Sequence, residues 1–306
     1  MSSVSLRHRF RGIPMLVVAS LFFALMAYCA RLTAGRLGVG QLVCARFVMG
    51  LLYLAVYYPA AGRSPRYGRP SLWAARGVFG GAAVYFYFMS IERLAVGPAV
   101  LLNCLWPIWA AIFSWLFLRE RLNSHLGAGL VLSTLGAGLV IWSTVQQGVA
   151  VSVGLGAAAG LLSALLSGAA VTAVRALRND TDAPTIFLSF NLFGALFALP
   201  FALGDWRPIT WELALPVLGV GVFSVAAQLL FTQAFAYVTA AAGGVATQLT
   251  PAFSFVLGAL LLAEPLLPLA VVGSLVCVVG VLWGTGVHLR LVAGAPRGAA
   301  SRPGGP

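Results

Sequence analysis

The chain has 306 residues, of which 60% are hydrophobic and only 8% are charged, and its mean hydropathy is +0.96. So little charge cannot cover that much apolar side chain in water, so the composition excludes a soluble domain and indicates a lipid bilayer as solvent. The net charge of +12 would suggest nucleic acid as the partner of a soluble protein. Here the arginines lie between apolar runs, so nucleic acid is not an expected partner.

Ten apolar runs are long enough to cross the hydrocarbon core as helices, for which about 20 residues are required. The sequence therefore predicts an all-α integral membrane protein with ten transmembrane helices. A short tail at residues 1–11 and a disordered Gly/Pro/Arg-rich tail at residues 290–306 flank them. In chain order the runs are residues 12–32, 41–60, 72–91, 95–118, 126–145, 149–173, 184–203, 211–236, 239–263 and 267–289.

An internal repeat of about 140 residues relates the first five runs to the last five. Pro107 and Glu120 are 13 residues apart, and Pro251 and Glu264 repeat this spacing 144 residues later. Residues 12–145 and 149–289 are therefore predicted to be two repeats. The same ungapped offset also pairs Arg31 with Arg175, Gly50 with Gly194, Gly77 with Gly221, Phe79 with Phe223, Gly129 with Gly273 and Gly136 with Gly280.

Arginine is concentrated on one side of the predicted topology. With both termini in the cytoplasm, 13 of the 19 arginines lie in cytoplasmic segments and 4 in outer segments, as the positive-inside rule requires. Five helices per repeat then place the second repeat upside down relative to the first. Inverted repeats are typical of secondary transporters, in which rocking of one half against the other exposes a central site to each side alternately.

The chain offers no arrangement typical of catalysis or metal binding. Its three histidines lie at helix ends or tails, and its four cysteines lie within apolar runs without CxxC spacing. No glycine-rich patch carries the Lys-Ser/Thr of a nucleotide site. We therefore expect no enzyme activity, no metal and no cofactor.

The residues before the two paired prolines are the first candidates for a substrate site. A proline within a helix frees a backbone carbonyl and permits a kink, so Pro107 and Pro251 are predicted hinges. Polar groups inside lipid are costly, and those one turn before a kink can meet a substrate near the midplane. For the polar residues, hydrogen bonding between helices is the alternative role. The candidates are Asn103, Trp106, Thr247 and Thr250.

A second group of candidates lies in the third and eighth runs. An aromatic wall with amides opposite suits a polar organic molecule that has an apolar part. Core packing and an interfacial aromatic belt are the alternative roles for each of these residues. The group comprises Tyr85, Tyr87, Phe88, Gln228 and Gln233, with Asn191 and Trp109 as weaker candidates.

Arg46 and Arg76 lie within runs, and Glu120 and Glu264 lie just after runs. Arg46 and Arg76 are close enough to an interface to snorkel; a structural anchor or intramembrane hydrogen bond is the default role of Arg46, and anion recognition is the alternative. Glu120 and Glu264 end their helices and are predicted to form caps or hydrogen bonds between the repeats. No carboxylate is predicted at the midplane, which favours exchange or gradient-driven flow of a neutral or zwitterionic solute over proton-driven antiport.

The doubled Pro-x12-Glu motif resembles that of the EamA-type transporters of the drug/metabolite transporter superfamily. Residues 107–122 and 248–266 carry the resemblance, and Arg46 is also typical of the family. The resemblance implies a ten-helix inverted-repeat fold with a central cavity lined by helices 1, 3, 4, 6, 8 and 9. It also implies export or exchange of amino acids, nucleobases, sugars, vitamins or S-adenosylmethionine-like metabolites. Related four-helix multidrug exporters rely on a glutamate in their first helix, and residues 12–32 contain none.

These observations together predict a secondary transporter of the bacterial inner membrane that works by alternating access. Its expected substrate is a small organic metabolite, amino-acid-like or otherwise neutral or zwitterionic, and the expected direction is efflux. Uptake or exchange of a vitamin or an S-adenosylmethionine-like solute is the alternative within transport, and a non-transporting membrane scaffold is the alternative outside it. The expected partners are the small-molecule substrate and the lipid bilayer, and a homodimer is left open.

Overall fold

The computed structural model describes residues 6–33, 35–93, 102–120, 123–145, 154–262 and 267–285. These residues contain helices and turns and no strand. Glu264 and the predicted C-terminal tail lie outside the described residues. The eleven described helices are α1 Leu6–Thr33, α2 Val39–Ala60, α3 Pro70–Arg93, α4 Trp106–Leu118, α5 Ser124–Val145, α6 Leu155–Leu177, α7 Ala183–Gly204, α8 Trp211–Ala234, α9 Ala240–Thr247, α10 Leu249–Leu262 and α11 Pro268–Thr285.

Most of these helices are apolar enough for a membrane. Beside the long helices given below there are three shorter apolar ones: Trp106–Leu118, Ser124–Leu139 and Pro268–Gly284. The all-helical membrane class is confirmed, and the number of ten spans stays a prediction. Within the described residues, six segments could cross a bilayer by length and composition: Arg11–Ala30, Val39–Ala60, Leu155–Leu177, Ala183–Gly204, Trp211–Ala234 and Ala240–Leu261.

The ninth predicted run is not one helix, and the fourth is interrupted as well. The chain from 239 to 263 divides into α9 and α10 at Gln248, and α4 begins only after a turn at residues 104–105. Pro107 and Pro251, expected in mid-helix, are the second and third residues of α4 and α10. Proline fits there because an N–H group in the first helical turn has no partner within the helix.

Contacts between helices recur when each residue is replaced by its repeat partner, 144 positions away. The contact of α3 with α6 corresponds to that of α8 with α1, and α5 packs along α11. A Cβ at Gly136 would lie 2.6 Å from the carbonyl oxygen of Gly273, and a Cβ at Gly129 would lie 2.8 Å from that of Gly280. Adding 144 to one residue and subtracting it from the other converts the first contact into the second. The two repeats therefore pack around a pseudo-twofold axis.

Helices α2 and α7 also make a contact and its repeat-related copy. Gly50 packs against the side chain of Asn191, and its repeat partner Gly194 packs against Phe47, which is the repeat partner of Asn191. Small residues let helix backbones approach closely in membranes. Asn191 itself is buried, and its amide donates to the carbonyl oxygen of Phe187 in α7 at 2.7 Å. Equivalent glycines of the two repeats thus make equivalent contacts.

Helix α9 lies at the centre of the molecule. All eight of its residues are buried, and it contacts α1, α4, α5, α6 and α11. Eight residues give a helix of about 12 Å, less than half the thickness of the hydrocarbon core. Helices α9 and α10 therefore make one span only in combination, with the break at Gln248 inside it.

Candidate functional site

The two helix breaks meet each other. Nε2 of Gln248, between α9 and α10, donates a hydrogen bond to the carbonyl oxygen of Cys104, just before α4, at 3.1 Å. Gln248 and Cys104 are 144 positions apart, so they occupy the same position in the two repeats. Residues that contact their own repeat partners lie on the pseudo-twofold axis. The interruptions of the two repeats therefore face each other on this axis.

Gln248 also makes polar contacts with α5 and α11. Its Nε2 lies 3.1 Å from Oγ1 of Thr134 on α5, and its carbonyl oxygen accepts from Sγ of Cys277 on α11 at 2.8 Å. A broken helix is tolerated at membrane depth only where protein or a water-filled cavity satisfies the freed backbone groups. Interruptions at corresponding positions of two repeats are the best pointer to a binding site in transporters of this architecture.

Asn103 and Trp106, the candidates of the first repeat, contact neighbouring helices beside the break. Nδ2 of Asn103 donates to Oγ of Ser163 on α6 at 2.9 Å, and this hydroxyl donates to the carbonyl oxygen of Ala83 on α3 at 2.7 Å. Trp106 packs edge to face with Phe231 of α8, with ring centroids 6.2 Å apart. Both candidates are partly exposed. Helices α3, α4, α6 and α8 thus come together at this point.

Thr247 and Thr250, the candidates of the second repeat, lie on either side of Gln248. The Thr247 hydroxyl lies 3.1 and 3.0 Å from the carbonyl oxygens of Gly243 and Gly244 in α9. It therefore uses its single donor within its own helix, and only acceptor capacity remains for a substrate. Thr250 is partly exposed in the first turn of α10.

The aromatic residues of α3 face α7 and the apolar core. The Tyr85 ring lies 4.0 Å from the ring centroid of Phe201 and 5.2 Å from that of Phe197, both on α7. Phe88 packs against the apolar clusters that α2 forms with α7 and with α1 and α8. The substrate roles predicted for Tyr85 and Phe88 stay predictions.

The two amides of α8 lie in different surroundings. Oε1 of Gln233 accepts a hydrogen bond from Nη2 of Arg178 at 3.1 Å, beyond the end of α6. Gln228 is 5% exposed, and its side chain has no hydrogen-bond partner within the described part of the chain. Gln233 is thus engaged at a helix end, and Gln228 makes no side-chain hydrogen bond to another described residue. The predicted substrate roles of both residues stay predictions.

Glu120 links three elements beyond the end of α4. Its Oε1 accepts from Nε of Arg175 on α6 at 2.9 Å, and its Oε2 accepts from the backbone N–H of Ala240 at 3.1 Å. Nη1 of Arg175 also donates to the carbonyl oxygen of Phe235 at 3.1 Å. A carboxylate at the N-terminus of α9 is favourable because the helix dipole is positive there. Glu120 thus bonds across the repeats, whereas the equivalent Glu264 lies outside the described residues.

Arg46 is enclosed in the helix bundle, and its side chain does not extend to the membrane surface. Arg46 is only 6% exposed, and its Nε donates a hydrogen bond to Oγ of Ser224 on α8 at 2.6 Å. Its guanidinium carbon lies 5.7 Å from the ring centroid of Phe190, and these two residues are again 144 positions apart. Arg46 is therefore a second residue on the pseudo-twofold axis.

Sequence reasoning missed three partners in this region. Gln248 was detectable, because the offset pairs it with Cys104 beside the repeated prolines. Arg175 was detectable as well, through its pairing with Arg31. Ser163 carried no signal, since serine is common where membrane helices pack closely.

The chain is similar to known membrane proteins over most of its length. The pseudopaline exporter CntI of Pseudomonas aeruginosa is 29% identical over 234 residues, which cover 75% of this chain and 80% of that protein. A Helicobacter pylori protein named as an uncharacterized transporter is 25% identical over 245 residues, covering 77% and 80%. One crystal structure, 19% identical, matches with a TM-score of 0.77 over 91% of this chain and 99% of its own, and thus shares the fold.

Apolar helices, two repeats and helix breaks on the repeat axis define a membrane transporter. The model of the EamA-like transporter family matches residues 10–142 and 154–285. The chain therefore belongs to the EamA-like transporter family. Transport, rather than catalysis, is also the activity after which its relatives are named.

Proposed function

We propose that this chain is a secondary transporter that exports a small organic metabolite across the bacterial inner membrane by alternating access. The substrate class is an amino-acid-like or otherwise neutral or zwitterionic solute. The observation that carries the proposal is the bond from Gln248 to the carbonyl oxygen of Cys104. It joins two helix breaks at equivalent positions of two repeats, which is where such transporters bind their substrates.

The proposed topology has ten spans in two inverted five-helix repeats, with both termini in the cytoplasm. The arginine asymmetry of the sequence supports this orientation. If the second repeat is inverted, the pseudo-twofold axis runs in the membrane plane, and residues on it lie at mid-depth. Arg46 and Gln248, which contact their repeat partners Phe190 and Cys104, would then mark the depth of the substrate site.

On this topology the contacts of Glu120 close the cytoplasmic side. Glu120 follows the cytoplasmic end of α4, Arg175 lies in the last turn of α6 at the same face, and Ala240 begins α9 there. Their hydrogen bonds of 2.9 and 3.1 Å tie the end of one repeat to the other. An inward-open state has to separate these groups, so they form the proposed cytoplasmic gate.

Export is favoured as the direction because the relative with 29% identity is named an exporter. Proton antiport is not favoured, since the described carboxylates all lie at helix ends or in loops. Asp182 caps α7, for example, by accepting from the N–H of Thr185 at 3.1 Å. Exchange or downhill flow of the solute therefore drives the proposed cycle. A homodimer stays a prediction.

The first experiment compares metabolites inside and outside cells by mass spectrometry. Cells express the wild type, Asn103→Ala with Trp106→Ala, or the control Ser64→Ala, which changes an exposed loop residue. We expect a solute that accumulates in the medium with the wild type and the control, and much less with the double variant. Membrane levels of each variant are measured alongside by immunoblot.

Two results would contradict parts of this proposal. Identical metabolite profiles with and without the wild type, at equal membrane levels, would favour the non-transporting scaffold. Accumulation inside the cells would reverse the direction and favour the uptake or exchange carrier.

A further inference from the structure

Two arginine side chains converge inside the helix bundle. Arg46 on α2 is 6% exposed and Arg76 on α3 is 4% exposed. The guanidinium carbons of both lie near the ring of Phe190 on α7, at 5.7 and 4.2 Å from its centroid. Two positive charges therefore approach one aromatic ring from two different helices.

The Arg76 side chain is directed into the bundle and away from the nearer end of its helix. Helix α3 begins at Pro70, six residues before Arg76. The guanidinium nevertheless lies beside Gly80, four residues in the opposite direction, where a Cβ would be 3.2 Å from its Cζ. An arginine this close to a helix end would ordinarily extend towards the membrane surface. The absence of a side chain at Gly80 provides the room that this inward orientation requires.

Most donors of the two guanidinium groups have no partner among the residues that the structure describes. Each guanidinium carries five N–H donors, and the described residues accept only one bond from the pair, from Arg46 Nε to Ser224 Oγ at 2.6 Å. Arg76 Nε is fully enclosed and has no hydrogen-bond partner among these residues. The contact with the Phe190 ring offsets part of the cost of burial. A buried charge in a membrane ordinarily requires an opposite charge as well.

Arg69 and Arg175, by contrast, each have a carboxylate partner. Arg69 donates to Asp180 and to the carbonyl oxygen of Ala176, and Arg175 donates to Glu120 and to the carbonyl oxygen of Phe235. The remaining carboxylates with described side chains are also engaged elsewhere, so none of this set contacts Arg46 or Arg76. They are Asp182, which caps α7, Asp205, which pairs with Arg207, and Glu212, which pairs with Arg36.

We propose that Arg46 and Arg76 form an anion site for a carboxylate group of the transported solute. The inference rests on the proposed transport function and narrows the substrate class to carboxylates, which include amino-acid-like zwitterions. Planar guanidinium groups match carboxylate oxygens in geometry and charge. Both side chains are almost fully buried, so the attraction is stronger than in water. Phe190 offers an apolar surface for the carbon chain next to the carboxylate.

The first test needs no knowledge of the natural substrate. The melting temperature of the purified protein in detergent is measured in chloride buffer for the wild type, Arg76→Met and the control Arg63→Met. Arg63 lies in an exposed loop. If Arg76 awaits a ligand anion, methionine removes an unpaired buried charge, so we expect a higher melting temperature for Arg76→Met and no change for the control. A structural role for Arg76 predicts a lower melting temperature instead.

The second test measures carboxylate binding directly. Glutarate and citrate, each compared with chloride at equal ionic strength, should raise the melting temperature of the wild type and of Arg63→Met, and the uncharged analogue glutaramide should not. Arg76→Met and Arg46→Met should lose this increase. Gly80→Ala keeps both charges but places a methyl group where the Arg76 guanidinium lies, so it should also lose the increase.

The site and the transport function can fail separately. A lower melting temperature of Arg76→Met in chloride, or equal carboxylate stabilisation of the wild type and this variant, would overturn the anion site. Metabolite export of uncharged solutes alone would overturn it too, while leaving the transporter intact. Carboxylate stabilisation that depends on Arg46 and Arg76, without export of any solute, would retain the site and contradict transport.

Discussion

At the residue scale, Glu120 is a charged side chain of the first repeat that bonds to the second repeat. It accepts hydrogen bonds from Arg175 on α6 and from the first N–H of α9. Its side chain is 17% exposed and that of Arg175 is 14% exposed, so water screens this pair only in part. The exposed pair of Arg36 and Glu212 has exposures of 50% and 75% and provides a natural comparison.

We expect Glu120→Ala to destabilise the protein by about 1.5–3 kcal/mol, since hydrogen bonds to charged groups are of this size. Glu212→Ala should change stability by less than about 1 kcal/mol, because exposed ion pairs contribute little. Chemical unfolding in detergent, followed by tryptophan fluorescence, measures both. Equal effects of the two substitutions would show that Glu120 does not join the repeats.

Replacement of Gln248 should destabilise the contact between the two repeats at the pseudo-twofold axis. Gln248→Leu removes the donor to the carbonyl oxygen of Cys104 and leaves that partly buried acceptor unsatisfied, at a cost of about 1–3 kcal/mol. Gln228→Leu is a matched control, since Gln228 is similarly buried but has no described hydrogen-bond partner. Melting temperatures of the two variants should therefore differ clearly. A similar decrease in both would show that the bond across the axis contributes nothing.

At the scale of the elements, glycine decides how closely α5 and α11 approach. A Cβ at Gly136 would lie 2.6 Å from the carbonyl oxygen of Gly273, whereas a Cβ at Gly127, in the same helix α5, would have no atom within 4 Å. Backbone atoms cannot yield as a flexible side chain can. The same substitution should therefore have opposite effects at the two sites.

Gly136→Ala should lower the melting temperature, because the added methyl group separates the two helices. Gly127→Ala should raise it slightly, since alanine favours a helix over glycine by about 0.5–1 kcal/mol. Scanning fluorimetry of the purified variants in one detergent makes the comparison. Destabilisation by Gly127→Ala as large as that by Gly136→Ala would mean that close packing of α5 on α11 is not the cause.

At the scale of the whole molecule, the two ends of the bundle should differ in accessibility from the cell exterior. Ser64 lies in the loop between α2 and α3, which the proposed topology places in the cytoplasm, and Trp206 lies in the loop between α7 and α8, outside. Both residues are exposed. The four native cysteines are buried or partly buried, which keeps their background labelling low.

We expect a membrane-impermeant maleimide to label Trp206→Cys in intact cells and Ser64→Cys only after the membrane is opened. Labelled protein is detected by its mass shift on a gel, with the unsubstituted chain as the control. Labelling of Ser64→Cys in intact cells would reverse the proposed orientation. Labelling of both sites from outside would contradict an odd number of spans between them.

The sequence by itself determined the class of the protein and its two repeats. Hydrophobic composition is a bulk property, so it identified the membrane without any knowledge of contacts. A duplicated sequence keeps residues such as Gly50, Gly194, Pro107 and Pro251 in register, so the offset revealed the repeats. It also paired the residues that meet across the axis, although it could not show that they touch.

Only the tertiary structure decided which polar residues are free and which are used. Whether an apolar run is one helix or two depends on partners for the backbone groups that a break would expose, as Gln248 provides for Cys104. Whether an arginine extends to the surface or remains inside depends on room beside it, as Gly80 provides for Arg76. Both depend on residues distant in the chain or on side-chain direction, and a linear pattern contains neither.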